Sequence, residues 1–380
     1  MELVELIGST TVFEWVLLAL FATTLLIQLA YYFIVFLKLP LYKIPKKRKT
    51  TKGVSIVICA KNEEENLSLF LPKVLEQDYP EFEVVVVNDC STDGTEQLLS
   101  ELSVRYKHLR YTSIPANEKF FHGKKLAVTI GLKSARFNRV LLTDADCYPV
   151  GNLWLQKMAS NLTSEKKIVL GYGGYERKKG LLNTLIRYET VFTAIQYLSY
   201  AILGRPYMGV GRNLAYEKEL FFSNKGFASH YHLSSGDDDL FINETAVKEN
   251  TMVEISKESH TLSIPKTSFR TWVKQKKRHL SVGIHYNLGS RIRLAGELIS
   301  RIMNYLTLVL LCILSPWKWF VVAFFGILLF TRMIIFKLGM RRLNEKYLLL
   351  PSLLFDLIMP FLLGIIWLGS KFETKNHSWS

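Results

Sequence analysis

Hydrophobic residues fall into long, uncharged runs near both ends of the chain and into short runs in its middle. From Trp15 to Leu37 no charged residue occurs, and a helix of that length spans roughly 34 Å, enough to cross a bilayer core. A second apolar region, Ile302–Phe336, is too long for one span and is interrupted at Ser315–Lys318 by a proline and a lysine. The last run covers about Leu348–Gly369. The pattern predicts transmembrane helices at about 15–37, 302–317, 319–336 and 348–369.

Two of these predictions have alternatives. A cleaved signal peptide would begin with basic residues, whereas this chain has Glu2, Glu5 and Glu14 there. The region 302–336 could also hold one span and an interfacial segment, and the sequence leaves that choice open. Because Lys46–Lys49 follow the first helix, the positive-inside rule places the next segment in the cytoplasm and both termini outside. We therefore expect an integral membrane protein, in the cell inner membrane, with a cytoplasmic central domain.

Two charged residues, Arg332 and Asp356, fall within predicted spans. An unpaired charge at the centre of a bilayer costs at least about 2.5 kcal/mol. We therefore expect these side chains to pair with each other or to face a polar lumen. The alternative for Arg332 is that its side chain reaches the membrane surface from near a helix end.

The middle of the chain has a different pattern. Between Gly53 and about Val253, short β-rich runs alternate with helical stretches, which is typical of a parallel sheet built from βαβ units. The predicted strands are Val54–Ala60, Glu83–Asn88 and Arg139–Thr143. The predicted helices are about Glu64–Glu76, Thr95–Ser103 and Asn152–Asn161. We expect an α/β, Rossmann-like domain between the membrane helices.

Charge and cysteine content narrow the classes of partner. The net charge of +15 is concentrated at 43–52 and 270–293, and both clusters adjoin apolar segments. Anionic membrane lipids are therefore the expected partners, and nucleic acid is not. The cysteines are scattered without a CxxC pair, which argues against a disulfide framework or a zinc site.

Polar residues follow each predicted strand. They are Lys61–Glu64, Asp89–Thr95 and Asp144–Asp146. Ligands of open α/β sheets bind beyond the carboxyl ends of the strands, so we expect these segments to meet at one site. Asp93 or Thr95 could instead cap a helix. The Asp144 and Asp146 carboxylates can together reach a hard divalent cation, Mg²⁺ or Mn²⁺, and a ribose hydroxyl.

In order and spacing these segments resemble the inverting family 2 glycosyltransferases of the GT-A fold, over roughly Val54–Asn287. Ile58–Glu64, Val87–Thr95, Gly123–Leu132 and Thr143–Cys147 are similar to the family segments NEE, DDGSTDGT, GKxxALNxGL and DADC. Further along, Gly204–Leu214, Ser235–Leu240 and Gln275–His279 resemble the GxxN loop, the GDD segment and QxxRW. The tryptophan of the last motif is replaced by His279, which departs from the pattern of processive synthases.

The resemblance implies roles for individual residues. Asp238, with Asp237 as the alternative, would be the general base on the acceptor hydroxyl, and Asp146 would hold the metal on the diphosphate. Donor-binding residues would be Ala60, Asn62, Glu63, Asp89, Lys124, Asp144 and Arg278, with Asp89 on the uridine base, Asp144 near the ribose and Arg278 on the pyrophosphate. Acceptor-binding residues would be Gly209, Gly211, Asn213 and His279.

The resemblance further implies transfer of a sugar from a nucleotide-sugar, of the UDP type, to a hydroxyl of a lipid-linked or other saccharide acceptor at the cytoplasmic face. A processive polysaccharide synthase is the alternative, followed by a non-catalytic sugar-nucleotide-binding scaffold. The expected domain plan is a first membrane helix and basic linker (1–45), the GT-A domain (53–265), an interfacial amphipathic segment (266–300) and C-terminal membrane helices (301–370). Leu181–Leu203 is predicted as either an interfacial or a core helix. The sequence leaves the sugar, the acceptor, the metal and the oligomeric state open.

Overall fold

The computed structural model describes residue 7 and residues 10–45, 49–115, 123–233 and 235–371. One long helix precedes a central α/β domain, and three long helices follow it. The basic residues Lys46–Arg48, on which the topology prediction depends, lie outside the described residues.

Within the described ranges the chain alternates between helices and strands. The α-helices are α1 Val12–Ala30, α2 Lys38–Leu41, α3 Glu64–Leu75, α4 Thr95–Arg105, α5 Lys124–Ser134, α6 Trp154–Ala159, α7 Leu181–Ile202, α8 Lys218–Ser223, α9 Asp239–Thr245, α10 Phe269–Leu280, α11 Leu288–Leu314, α12 Lys318–Arg342 and α13 Leu349–Lys371. The strands are β1 Val54–Ala60, β2 Phe82–Asp89, β3 Leu109–Ile114, β4 Arg139–Asp144, β5 Cys147–Pro149, β6 Ile168–Leu170, β7 Gly173–Tyr175, β8 Leu214–Glu217, β9 Thr251–Val253 and β10 Thr261–Ser263. A π-helical turn, Tyr31–Phe36, joins α1 to α2.

The central sheet has seven strands in the order β3-β2-β1-β4-β8-β6-β9. The four strands from β3 to β4 are parallel, and β8 is antiparallel to both of its neighbours. A second sheet, β5-β10-β7, has three strands. The three strands predicted from the sequence are confirmed as β1, β2 and β4, and the helices predicted after them as α3, α4 and α6.

Side chains of β1 alternate between two buried clusters. Ile56 and Ile58 pack with Leu67 on one face of the sheet, whereas Val57 packs with Leu132 on the other. This alternation follows from the pleat of a strand, and burial of both faces explains why all residues of β1 except Ser55 are apolar.

Among the described residues, four helical segments are long and apolar enough to cross a membrane: Val12–Leu41, α11, α12 and Leu349–Gly369 within α13. The turn at Ser315–Trp317 separates α11 from α12, so the region 302–336 contributes to two long helices. α11 begins at Leu288, not near 302, because Asn287 caps it and no helix-breaking residue follows before Ser315. The expected boundary between an interfacial segment and the C-terminal helices, near 300, is therefore corrected: it lies inside one continuous helix.

Helix α7 packs between the α/β domain and the membrane helices. The buried Tyr188 ring lies 5.4 Å from the Phe336 ring and 5.5 Å from the Phe355 ring. The Tyr197 hydroxyl donates to the Gly171 carbonyl at 2.6 Å. Of the two predictions for Leu181–Leu203, the core helix is the one that the structure supports.

The loop before helix α13 and the far end of α13 both contact other elements of the protein. In the loop before it, Glu345 pairs with Arg187 of α7 and accepts from the Tyr172 hydroxyl at 3.1 Å. Near its other end, a methyl group placed on Gly369 would lie 3.7 Å from Lys277 Cε of α10. The far end of α13 thus lies beside α10, and the predicted membrane span at about 348–369 stays a prediction.

The predicted pairing of Arg332 with Asp356 is confirmed. Arg332 lies 2.8 Å from Asp356, which also contacts Arg301 at 3.1 Å, and Arg301 contacts Glu297 at 2.8 Å. Gln28 of α1 accepts from Arg332 at 2.9 Å. These five residues, here called the helix-core cluster, join four helices and balance two arginines against two carboxylates, so that the buried cluster carries no net charge.

We expect Arg332→Gln to destabilise the protein, because it leaves the helix-core cluster with one uncompensated negative charge. Breaking a buried ion pair in this way typically costs about 3–5 kcal/mol. The measurement is thermal unfolding in detergent, with Arg341→Gln on the exposed side of the same helix as the matched control. Equal melting temperatures for the two variants would contradict the structural role of the cluster.

Candidate active site

The loops after β1, β2 and β4 meet at one edge of the central sheet. The register pairs Ala60 with Asn88 and Cys59 with Asp144, so these parallel strands end at the same level. The Asn62 side chain accepts from the Thr92 N–H at 2.8 Å and so locks the first loop to the second. The predicted convergence of the first two loops follows directly from this contact.

Asp93 stabilises the loop and the start of α4. Its carboxylate accepts from the Thr95 N–H at 3.1 Å and from the Glu64 N–H at 3.2 Å. These are main-chain donors at helix starts, which have no partner inside their own helices. The helix-cap alternative therefore holds for Asp93.

Three of the predicted donor-binding residues lie at or just after the strand ends. Ala60 and Asp89 are both 0 % exposed. Glu63 is half-buried, and burial, with a smaller contribution from Asp146 and Asp144, raises its pKa to about 7. The edge of the sheet thus concentrates carboxyl groups that repel one another.

Lys124 stands between two of the acidic segments. Its Nζ lies 2.8 Å from Asp144 Oδ1 and 3.1 Å from Asp237 Oδ2. Burial opposes its charge, but Asp144 and Asp237 outweigh burial and raise the pKa of Lys124 well above its usual value. Three motifs that are distant in sequence therefore meet around one ammonium group.

The acidic triplet Asp237–Asp239 divides into three environments. Burial opposes ionisation of Asp237, but Lys124 lowers its pKa below the usual value. Burial and the neighbouring Asp237 raise the pKa of Asp238 to about 6. Burial and Asp238 raise the pKa of Asp239 to about 7. Three adjacent aspartates thus differ in their readiness to accept a proton.

Main-chain donors fix the Asp238 carboxylate. Its Oδ2 accepts from the Gly211 N–H at 2.7 Å, and its Oδ1 accepts from the Asp239 N–H at 2.8 Å. Asp239 is held separately, because its Oδ2 accepts from the Tyr286 hydroxyl at 2.7 Å. The helix-dipole explanation therefore suits Asp239 at the start of α9, while Asp238 faces Gly211 and the Lys124 side.

A candidate metal site lies at the end of β4. Oxygen or sulfur atoms of Asp144, Asp146 and Cys147 lie within 4.8 Å of one another. Burial raises the pKa of the Cys147 thiol, which donates to Asp146 at 3.3 Å and therefore orients that carboxylate. Burial and the nearby Asp144 also raise the pKa of Asp146. Two crowded carboxylates fit a hard divalent cation, whose charge would relieve their repulsion.

Cationic side chains approach the same region from two other elements. Within the described residues nothing hydrogen-bonds to the buried Nε of Arg278 on α10. The neighbouring His279 lies exposed on the same helix. Arg278 also lowers the pKa of Asp237, which places it within electrostatic reach of the acidic triplet. An anionic ligand would complement these side chains.

Arg212 belongs to this cationic side, although the sequence did not reveal it. Its guanidinium lies 4.4 Å from the centre of the Tyr175 ring and donates to Ser263 Oγ at 3.2 Å. A single arginine next to Gly211 forms no pattern of its own. Its position in the predicted acceptor loop was the only feature of the sequence that could have indicated a role at the site.

Two of the four predicted acceptor-binding residues lie in the core. The Asn213 side chain is 0 % exposed and donates to the carbonyls of Tyr172 and Ser259 at 2.9 and 2.7 Å. A methyl group placed on Gly209 would lie 3.1 Å from Leu214 Cδ1. These predictions are corrected, because both residues pack the sheet to its surroundings instead of lining a cleft.

Gly211 and His279 remain beside the acidic and cationic groups. A methyl group placed on Gly211 would lie 3.4 Å from Asp238 Oδ2 and 3.5 Å from Lys124 Nζ. His279 lies exposed on α10, next to Arg278. Gly211 therefore lies against Asp238, whereas the acceptor role of His279 stays a prediction.

Comparison with known proteins identifies this arrangement. The sequence model of the family described as Glycosyl transferase family 2 matches residues 55–222. The mannosyltransferase PcManGT from Pyrobaculum calidifontis, solved in complex with GDP-Man and Mn²⁺, has a similar fold. It superposes with a TM-score of 0.59 at 18 % identity, covering 90 % of this chain and 98 % of that structure.

Curated relatives match over shorter stretches. Poly-beta-1,6-N-acetyl-D-glucosamine synthase of Staphylococcus epidermidis is 30 % identical over 103 residues, 27 % of this chain and 24 % of that protein. Dolichyl-phosphate beta-glucosyltransferase ALG5D of Trichomonas vaginalis is 36 % identical over 105 residues, 24 % of this chain and 30 % of that protein. The chain therefore matches less than a third of the length of either relative. The expected GT-A fold is confirmed, and the resemblance to the family 2 glycosyltransferases is confirmed over residues 55–222, which the family model matches.

Proposed function

We propose that the chain is an inverting glycosyltransferase that moves a sugar from a nucleoside diphosphate sugar, a UDP-sugar in the first instance, to a hydroxyl of a lipid-linked acceptor. The observation that carries the proposal is the junction at Lys124, which brings Asp144 and Asp237 together beside Asp238. Donor-binding and proton-accepting groups thereby meet in one place, as glycosyl transfer requires.

Asp238 is the proposed general base. A hydroxyl that attacks the anomeric carbon must lose its proton, and a carboxylate within hydrogen-bond reach can take it. The two N–H groups that hold Asp238 fix its orientation, and its pKa of about 6 leaves it ionised yet basic near neutral pH. Asp237 is the weaker candidate, because its ion pair with Lys124 lowers its pKa.

The residues on the opposite side of the site would bind the leaving group, a nucleoside diphosphate. Arg278 and Arg212 supply donors that suit the oxygens of a diphosphate. Asp146 and Asp144 would hold Mg²⁺ or Mn²⁺, which when bound supplies positive charge for the departing nucleoside diphosphate. The neighbouring Asp89 is proposed for the nucleobase, Ala60, Asn62 and Glu63 for the rest of the donor, and His279 for the acceptor.

The membrane arrangement is also a proposal. We infer that α1, α11 and α12 cross the bilayer with the α/β domain on the cytoplasmic side, while α13 lies along that side beneath the domain. The exposed basic residues Arg270, Lys274 and Arg291 of α10 and α11 would then contact anionic headgroups.

A processive polysaccharide synthase is the second candidate, favoured by the match to the Staphylococcus epidermidis synthase. Two observations weigh against it. The helix-core cluster joins α1, α11, α12 and α13 through buried polar contacts, and His279 stands where processive synthases carry tryptophan. Purified protein supplied with a panel of UDP- and GDP-sugars and membrane lipid extract separates the candidates by mass spectrometry. One added sugar supports the first proposal, a ladder supports the second, and no product with any donor rejects both.

Asp238→Asn should lower kcat by roughly 10²–10⁴-fold, the range lost with a general base, while nucleotide binding is retained. The amide keeps the shape of the side chain and can still accept from Gly211. Asp237→Asn is the matched comparison: it should mainly weaken donor binding, because it releases Lys124. Steady-state kinetics and nucleotide titration distinguish the two, and full turnover by Asp238→Asn would refute the base assignment.

The pH dependence of kcat/KM should report the ionisation of Asp238. A general base must be deprotonated, so activity should rise with pH, bend near the pKa of about 6 and level off above it. Rates measured between pH 5 and pH 8, roughly one to two units either side of that pKa, give the profile. A flat profile from the acidic end upward would contradict the assignment.

The topology proposal predicts where the end of α13 lies. Alkaline phosphatase fused after Pro316, in the turn between α11 and α12, should be exported and active. The same enzyme fused after Ser380 should stay in the cytoplasm and be inactive, because α13 returns to the α/β domain. Activity in both fusions would instead support four crossing helices.

A further inference from the structure

Two residues at the start of α11 contact the short helix that follows the proposed base. The Tyr286 hydroxyl donates to Asp239 Oδ2 at 2.7 Å. The next residue, Asn287, donates its main-chain N–H to Asn243 Oδ1 at 2.7 Å. Asp239 and Asn243 lie four positions apart in α9 and therefore on one face of that helix. Both contacts thus join the same face of α9 to the same end of α11.

We propose that Tyr286 is a positioning residue for the general base: its hydroxyl holds Asp239, and Asp239 in turn holds Asp238. The role of Asp238 as base rests on the proposed function, whereas the attachment of α9 to α11 rests on the contacts alone. Since α11 is long and apolar enough to cross a membrane, the position of the base would be set from that helix.

Helix α9 is too short to hold its own position. It has seven residues, about two turns, and isolated helices shorter than about 12 residues are marginal in water. The contacts with neighbouring elements therefore fix where α9 lies and how it is turned. Because the Asp238 carbonyl accepts from the Ile242 N–H at 3.1 Å, a rotation of α9 carries Asp238 with it.

A continuous series of hydrogen bonds leads from Tyr286 to the base. Tyr286 donates to one carboxylate oxygen of Asp239, and the Leu240 N–H donates to the other at 2.8 Å. The Asp239 N–H then donates to Asp238 Oδ1 at 2.8 Å. The side chain of Asp239 is therefore held at both of its oxygens, while its main chain supplies one of the two donors that orient Asp238. A displacement of Asp239 would move that donor.

The Tyr286 side chain is itself fixed by packing. Its ring centre lies 5.9 Å from that of Tyr207, which is 2 % exposed. The Tyr207 carbonyl accepts from the Asn243 side chain at 2.7 Å, so Tyr207 supports both contacts between α9 and α11. Burial and the nearby Asp239 raise the pKa of the Tyr286 hydroxyl well above its usual value, so this group stays protonated and remains a donor near neutral pH.

A different element holds the other end of the acidic triplet. Lys124 of α5 pairs with Asp237 at 3.1 Å, and the neighbouring Lys125 donates to the Leu233 carbonyl at 3.0 Å. Asp238 therefore lies between a support from α5 and a support from the start of α11. Removing the second support leaves the Lys124 junction in place, so donor binding should survive while the base is misplaced.

The test removes one hydroxyl group. Tyr286→Phe deletes the donor to Asp239 and keeps the ring. Tyr79→Phe is the matched control, because Tyr79 is 7 % exposed and its hydroxyl donates to the Lys52 carbonyl at 2.6 Å, before the start of β1 and opposite the end at which the site lies. Both full-length variants are purified in detergent, and steady-state kinetics are measured with the donor and lipid extract that the wild type uses.

In Tyr286→Phe, kcat should fall roughly tenfold at an unchanged KM for the donor, within the 10²-fold loss that a misplacement of about 1 Å can cause. Tyr79→Phe should match the wild type in both constants. Asn243→Ala removes the other contact and should lower kcat in the same way, which provides a second variant if Tyr286→Phe folds poorly by circular dichroism. An unchanged kcat in Tyr286→Phe, or a loss confined to the donor KM, would overturn the proposal.

A double-mutant cycle separates positioning from a general loss of structure. If Tyr286 acts through the base, Tyr286→Phe should leave the residual rate of Asp238→Asn unchanged, whereas independent effects would multiply. The same tenfold loss in both backgrounds would contradict the proposed role.

Hydrogen exchange followed by mass spectrometry tests the attachment without turnover. The amides of α9 should exchange about tenfold faster in Tyr286→Phe than in the wild type, because a lost hydrogen bond to a charged group favours local opening. Tyr79→Phe should leave them unchanged, and equal exchange in all three proteins would refute the attachment. If the wild type itself transfers no sugar, the exchange result still decides whether Tyr286 holds α9, so failure of the proposed function is recognised separately.

Discussion

Lys124 is a half-buried cation held between carboxylates from two distant parts of the chain. Without Lys124, Asp144 and Asp237 would face each other and Asp238 with no compensating charge, in surroundings where burial already disfavours ionisation. Because the ammonium group compensates these negative charges, the edge of the sheet and the start of α9 can lie close to each other. It also separates the acids by function, because it keeps Asp237 ionised while Asp238 retains a raised pKa.

Buried charges are also compensated among the long apolar helices, by different residues. In the helix-core cluster, two arginines and two carboxylates cancel within a group of helices that is otherwise apolar. Such a cluster contributes less to stability than hydrophobic packing would, but it fixes which helices meet and in what register. The active site depends on that register, since α7 packs on α12 and α13 and positions Lys276 through Glu189.

The sequence predicted those features that depend on local pattern. β1 and β4 could be predicted because each contains a short, largely apolar run, and the acids at and after their ends could be placed because parallel strands end at a common edge. Asn213 and Gly209 could not be placed, because whether a loop residue faces a cleft or the core depends on strands that pair across large sequence separations. Arg212 was missed for the same reason: its partners, Tyr175 and Ser263, belong to a second sheet that local patterns do not indicate. The length and composition of α13 are those of a spanning helix, and local pattern does not indicate that its end lies beside Lys277.

The α/β domain is attached to the membrane helices by more than the chain itself. Glu345, in the loop between α12 and α13, bonds Arg187 of α7 and the Tyr172 hydroxyl, and the Tyr42 hydroxyl after α2 donates to the Val253 carbonyl at 3.1 Å. The main-chain carbonyl of Tyr172 in turn accepts a hydrogen bond from the side-chain amide of Asn213, which lies two residues after Gly211. These contacts hold the domain in a fixed position, so the distance between Asp238 and the long helices is fixed. Under the proposed function, the enzyme would then accept only those hydroxyl groups whose carrier brings them to the level of Asp238.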